Sequence, residues 1–182
     1  MRLPDDVRSR IYDDVFGHKT INICYQTYKT TYEDPTATDE NKKATKVAPV
    51  FKYYCRVYEG RVNPFSERQP PTPVSTSFTL FSGVCRQLYL ETATLPWELN
   101  FIAFDSHSIC VNFILLEKRM TWDQRETLLM LFLPDDLPGA NMLEYLPSLY
   151  KFRLAFDQIG EKKEGVYKVV RAKKQWPRLV RY

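Results

Sequence analysis

Glycine, histidine and the common catalytic motifs are scarce in this chain, and each shortage excludes a class of site. The 182 residues include 6 glycines and 2 histidines, so glycine-rich loops that cradle phosphate groups are not expected. No Walker, G-x-G-x-x-G, G-x-S-x-G or H-E-x-x-H pattern occurs. His18 and His107 have no nucleophile or metal ligand at a diagnostic spacing. Because these motifs are absent, the sequence predicts no catalytic residue, no metal and no cofactor.

Cysteine patterning and long apolar runs are also missing. The 4 cysteines, Cys24, Cys55, Cys85 and Cys110, are widely separated and include no C-x-x-C pair. No secretory hydrophobic region and no apolar run long enough to cross a bilayer occurs. We expect free thiols, with Cys85 and Cys110 as small core residues, and keep two disulfides as the alternative. The prediction is a cytoplasmic or nuclear protein that does not contact a membrane.

The composition still provides a core, and the charge is unevenly distributed. Hydrophobic residues make up 44% of the chain and aromatic residues 14%, enough for a folded domain. The net charge is +4, yet residues 161–182 hold eight Lys or Arg and two acids, a charge of +6 that leaves −2 for the other residues. A nearly neutral body with a basic end is not a uniformly cationic nucleic-acid binder.

The first half of the chain predicts a helix followed by a β-hairpin. Leu3, Val7, Ile11 and Val15 recur every four residues, as on one face of a helix. Alternating residues over 20–28 and 50–58 predict two strands joined by a polar connection. Tyrosines cluster in this hairpin, where they favour cross-strand pairing or, alternatively, an exposed stacking surface; they are Tyr25, Tyr28, Tyr32, Tyr53, Tyr54 and Tyr58.

The second half predicts helices alternating with buried strands. Residues 78–95 have the spacing of a second helix, and residues 100–104, 129–133 and 150–156 have the composition of strands. Thr121 and Gln124 form a capping-box pattern at a helix start. Strands joined by helical crossovers lie parallel in one sheet. Gly165 onward is predicted to be a terminal helix with Val166, Val169 and Val170 on one side.

Two segments resemble a known family. Residues 3–12 read LPDDVRSRIY and residues 84–91 read VCRQLYLE. Together they resemble the F-box-like proteins of filamentous fungi, which share an LP-headed opening and a later CRQ-[IL]-Y-x-E segment. The stretch Trp122, Arg125 and Leu128 is similar to the same group.

The resemblance implies a non-enzymatic protein-interaction module, and specifically a substrate adaptor of a ubiquitin ligase. The predicted fold is α+β: F-box-like helices carry an inserted β-hairpin and precede a short β-α sheet, whose spacing resembles a leucine-rich-repeat edge. The implied partner is a Skp1-like subunit. The residues expected to contact a partner are Leu3, Pro4, Arg8, Arg86 and Glu91. For Arg8, Arg86 and Glu91, the alternative is internal anchoring under the first helix.

The predicted organisation is one domain over residues 1–160, with hairpin and loops over 18–77 and a basic helix or tail over 161–182. We expect the two motif helices to touch, with Val7, Ile11 and Val15 facing Val84, Leu88 and Thr92. Truncating Ile11 or Leu88 to Ala would then cost about 2–5 kcal/mol.

Two other functions are compatible with the residues. One is a small-molecule-binding protein or enzyme with an aromatic pocket between hairpin and sheet, for which Cys85, Tyr89 and His107 are the candidates. The other is nucleic-acid binding through the basic end, by Lys168, Arg171, Lys173, Lys174, Trp176 and Arg178, with Arg181 as a further phosphate contact.

Overall fold

Local sequence signals position most of the helices and strands. The computed structural model describes residues 3–33, 45–66, 70–76, 85–154, 165–172 and 175–182. Its helices are α1 (Asp5–Phe16), α2 (Arg86–Thr92), α3 (Leu95–Leu99), α4 (His107–Val111, continued by a π-helical turn over Asn112–Leu116), α5 (Trp122–Thr127) and α6 (Ala140–Tyr145). Its strands are β1 (Lys19–Glu33), β2 (Thr45–Glu59), β3 (Phe101–Phe104), β4 (Met130–Leu133), β5 (Lys151–Leu154), β6 (Gly165–Val170) and β7 (Arg178–Arg181).

The strands form one mixed sheet, and the predicted α+β class is confirmed. Within the described ranges the strand order is β2-β1-β3-β4-β5-β6-β7. Strands β1, β3, β4 and β5 are parallel neighbours, as helical crossovers require, and the pairs at both ends are antiparallel. The hairpin is therefore part of the sheet, because β1 pairs with both β2 and β3.

Side-chain alternation gives the sheet two different faces. On the first face, Ile102, Phe104, Leu131 and Leu133 share a core with residues of α4, its π-helical turn and α6, including Cys110, Ile114, Met142 and Leu143. On the second face, Phe101, Ala103, Met130 and Phe132 form a smaller cluster against Phe65. Helices therefore cover the first face, and residues 61–66 lie against the centre of the second.

Capping residues mark the starts of α4 and α5 where the sequence indicates. The Thr121 hydroxyl accepts from the Gln124 amide at 3.3 Å, and the Gln124 side chain accepts from the Thr121 amide at 3.0 Å. This confirms the predicted capping box. Ser106 caps α4 by accepting from the Ile109 amide at 3.2 Å. Each cap thus accepts from a first-turn amide that has no partner within its helix.

The predicted terminal helix is wrong. Residues 165–170 form β6, which pairs with β5 and β7. The spacing of Val166, Val169 and Val170 fits a helix face, but β-branched residues also favour strands. In the strand, Val169 packs into the core of the first face, a contact that a local pattern cannot anticipate.

Candidate functional site

The two motif helices meet at a shared carboxylate. Glu91 on α2 accepts from Arg8 Nη1 at 2.6 Å and from the Tyr12 hydroxyl at 3.0 Å, both on α1. Gln87, one turn earlier on α2, donates to the second Glu91 oxygen at 3.0 Å. Arg8 also bonds Asp5 within α1. The expected contact between these helices therefore exists, and it is polar.

These hydrogen bonds keep Glu91 ionised. Donation from Gln87, then from Tyr12 and Arg8, lowers the pKa of Glu91 to about 2. The bonds to Asp5 and Glu91 raise the pKa of Arg8. The pKa of Tyr12 is also raised, mainly by desolvation and secondly by its hydrogen bond to Glu91. A carboxylate with so low a pKa is a poor general base near neutral pH. The arrangement suits anchoring of α1 better than proton transfer.

The apolar stripe of α1 faces solvent. Leu3, Val7, Ile11 and Val15 are between 38% and 53% exposed. The prediction that this stripe packs on α2 is therefore wrong; Val84, one of its expected partners, lies outside the described residues. Arg8 and Tyr12 occupy a different side of α1, and their bonds to Glu91 turn that side toward α2. We call Leu3, Val7, Ile11 and Val15 the α1 stripe.

A cleft of about 440 Å³ lies beside this polar contact. Its lining contains four carboxylate side chains and one cation. The lining residues are Asp5, Arg8, Ser9, Tyr12, Asp13, Glu91, Leu95, Glu98 and Leu99. Arg8 and Glu91 form an ion pair with each other, so the cleft offers no converging acid and base.

The predicted partner-contact residues divide into two groups. Leu3, Pro4 and Arg86 are exposed. In the described part of the chain, Arg86 forms no hydrogen bond or ion pair, so it does not anchor α1. Arg8 and Glu91 instead bond each other across the helices, which is the internal alternative.

The candidates for a reactive pocket do not converge. Cys85 is exposed and caps α2 by accepting from the Leu88 amide at 3.4 Å, so it is not the core residue expected. The His107 backbone donates to Asp135 at 2.8 Å. Strand β1 of the hairpin is hydrogen-bonded directly to β3, so the hairpin continues the sheet, and the expected pocket between hairpin and sheet stays a prediction. No cluster of three or more His, Cys, Asp or Glu able to hold a metal occurs in the ranges described.

The cysteines are free thiols, as predicted. Cys24 and Cys110 are buried. Desolvation raises the pKa of Cys24 to about 12 and raises that of Cys110 well above its ordinary value. Both therefore stay protonated near neutral pH and are poor nucleophiles.

The hairpin tyrosines support cross-strand packing. The rings of Tyr25 and Tyr53 lie 4.9 Å apart, and Tyr53 meets Phe113 at 5.1 Å. The Tyr53 hydroxyl also donates to Glu117 at 2.8 Å. The side chains of Tyr28 and Tyr32 lie outside the described set.

The family-like residues Trp122 and Arg125 contact each other on α5. The Arg125 guanidinium lies over the Trp122 and Tyr145 rings, at 4.8 and 4.1 Å from their centroids.

The basic end contains residues with different roles. Arg171 donates to the carbonyls of Leu149, Leu143 and Leu146 at 2.7, 3.1 and 2.8 Å. It satisfies carbonyls in and after α6, so its guanidinium is not free for phosphate. Lys168, Trp176 and Arg178 are exposed. Lys173 and Lys174 lie outside the described residues.

Sequence reasoning missed the surface beside Lys168. Lys151 and Arg153 on β5 and the exposed Tyr182 lie near it on the sheet. The missed signal is the absence of Asp and Glu from strands β5, β6 and β7, which hold five Lys or Arg residues.

The comparisons with known proteins supply no identity. No protein-family model, curated protein or solved structure matches the chain. Among the helices described, none is long and apolar enough to span a membrane.

Proposed function

We propose that this protein is a non-enzymatic interaction module that docks on a partner protein through the α1 stripe. The observation that carries the proposal is the exposure of four regularly spaced apolar side chains while another side of α1 is held by Glu91. Contiguous exposed apolar patches mark interaction sites more often than scattered single residues do.

The spacing of the stripe matches recognition of a helix by an apolar groove. Val7 to Val15 spans about 12 Å along the axis of α1 at 1.5 Å per residue, and Leu3 lies just before the first turn of this helix. Side chains one turn apart enter successive positions of such a groove. Asp6 and Asp14, which are exposed between the stripe positions, would form a polar rim.

The partner proposed is a Skp1-like subunit, with the protein acting in the cytoplasm or nucleus as an adaptor of a ubiquitin ligase. This choice rests on the likeness of the opening segment and the α2 segment to fungal F-box-like proteins. In this proposal α1 and α2 are the F-box-like pair, and the polar contact between Arg8, Tyr12 and Glu91 fixes the angle at which the stripe is presented. The helix-crossover part of the sheet would be the leucine-rich-repeat-like portion.

Calorimetric titration of the full chain with a purified Skp1-like subunit tests the proposal. Ile11→Gln is expected to weaken binding at least tenfold, which corresponds to about 1.4 kcal/mol, because it places an amide in the apolar groove. The matched control Arg10→Gln introduces the same side chain beside the stripe and is expected to change affinity less than threefold. Equal affinities of the two variants, or no binding by the wild type, would refute the proposal.

A further inference from the structure

Strands β5, β6 and β7 place cations on the second face of the sheet. Lys151 on β5 pairs with Lys168 on β6. Lys168 in turn pairs with Val180 on β7, and Arg178 lies two residues before Val180 on the same strand. Because paired residues share a face and neighbours alternate, Lys151, Arg153, Lys168 and Arg178 lie on the second face. Arg181 pairs with Tyr167 and lies on the first. No Asp or Glu occurs in these three strands.

Within the ranges that the structure describes, no carboxylate is paired with this cationic surface. Among the described residues, none of the four cations forms an ion pair. The Lys151 ammonium lies 5.9 Å from the Phe101 ring centroid and the Arg153 guanidinium 5.0 Å from that of Phe132, so their contacts are with aromatic rings. Lys151 and Lys168 are directly opposite, and like charges in that position destabilise a sheet. A bound anion would relieve this repulsion.

A cleft with aromatic walls adjoins the same cations. It has a volume of about 430 Å³ and is lined by Tyr150, Lys151, Val166, Tyr167, Lys168 and Tyr182. Tyr150 is 47% and Tyr182 92% exposed, so their rings are available to a planar group. The volume lies in the usual range for small-ligand clefts and suits a unit the size of one nucleotide.

We infer that this surface binds single-stranded nucleic acid, with a base against the exposed rings of Tyr150 and Tyr182 and phosphates on Lys151, Arg153, Lys168 and Arg178. Side chains two positions apart on a strand are about 6.6 Å apart, a separation comparable with that of successive phosphates in an extended strand. A duplex keeps its base faces stacked internally, whereas an unpaired base can lie on an exposed tyrosine. The inference is independent of the α1 stripe.

Fluorescence anisotropy of the full chain with labelled oligouridine and oligothymidine of about 12 nucleotides tests this inference. Binding is expected to weaken as salt rises from about 50 to 200 mM. Lys168→Gln and Arg178→Gln should each weaken binding and reduce the slope of log affinity against log salt by about 0.7. Tyr182→Ala should weaken binding about tenfold and leave the slope unchanged, because it removes stacking without charge.

Arg10→Gln on α1 is the matched control and should bind like the wild type. Thermal melts of every variant will show whether the fold is retained; the replaced side chains are exposed, so small shifts are expected. Absence of binding at low salt, variants that bind like Arg10→Gln, or equal affinity for a duplex of the same length would each overturn the inference. Binding to phosphatidylserine vesicles without binding to oligonucleotide would overturn it in favour of a lipid surface.

Discussion

Glu91 shows how one residue can orient a helix that is distant in sequence. Its carboxylate accepts from Arg8, Tyr12 and Gln87. Glu91 and Arg8 are 83 positions apart. Hydrogen bonds to the ionised form lower its pKa, which links the anchoring of α1 to pH.

The stability that Glu91 contributes should be lost in acid. Its pKa of about 2 in the folded state lies below the ordinary 4.5, so the contribution is present above about pH 4.5 and declines as the pH falls toward 2. We expect the difference in unfolding free energy between wild type and Glu91→Gln to be constant from pH 7 to about pH 5 and to shrink below that. Urea melts across this range measure it.

Glu126→Gln is the control for that series, because Glu126 is an exposed carboxylate on α5. Its unfolding free energy should stay within about 0.5 kcal/mol of the wild type. A difference for Glu91→Gln that stays constant down to pH 2 would contradict the linkage.

At the scale of elements, α1 has two surfaces with different energetic roles. Phe16 at its end is 2% exposed, whereas Ile11 on the α1 stripe is 43% exposed. Burial of Phe16 gains most of the free energy of moving its side chain out of water. Ile11 gains little of that free energy when the chain folds alone, because its side chain stays partly in solvent. The element is thus fixed at one end and on one side while its stripe stays accessible.

Truncation of these two residues should have unequal effects. Phe16→Ala is expected to lower the unfolding free energy by about 3–5 kcal/mol, since it leaves a cavity. Ile11→Ala should change it by less than about 1 kcal/mol, because the side chain is exposed and Ala is the better helix former. This replaces the larger loss expected for Ile11 from sequence. Denaturant melts of the two variants decide; a loss above about 3 kcal/mol for Ile11→Ala would mean that the stripe is buried.

At the scale of the whole molecule, Asn100 joins three elements. It is fully buried, and its amide donates to the carbonyls of Phe16 at 2.6 Å and Pro96 at 3.0 Å. Its carbonyl oxygen accepts from the Lys19 amide at 2.8 Å. The residue thereby connects the end of α1, the start of β1 and α3 at the point where β3 begins.

Removing this side chain should destabilise the fold strongly. Asn100→Ala leaves three backbone groups without their partner, at about 1–3 kcal/mol for each that stays buried, so we expect a loss of about 2–5 kcal/mol. Asn141→Ala, at an exposed position of α6, is the matched control and should be neutral within about 0.5 kcal/mol. Thermal and urea melts measure both; a near-neutral Asn100→Ala would show that these bonds are replaced by water.

Local patterns were sufficient wherever the structure is decided by neighbours in sequence. The Thr121 and Gln124 capping box joins residues three positions apart. The hairpin and the buried strand β4 follow from alternation and from a continuous apolar run. Crossover connections then require parallel neighbours. The α+β class and the free thiols were accessible from sequence for these reasons.

Tertiary structure decided which of several compatible surfaces was used. The stripe of α1 marks an apolar face, but the partner of Arg8 and Tyr12 determined that this face remains in solvent. The spacing of Val166, Val169 and Val170 fits a helix or a strand. These residues form a strand because their segment hydrogen-bonds to the edge of β5. The cationic cleft exists because register places Lys151 opposite Lys168. Such choices depend on contacts between residues distant in sequence, whose free energies a local pattern does not contain.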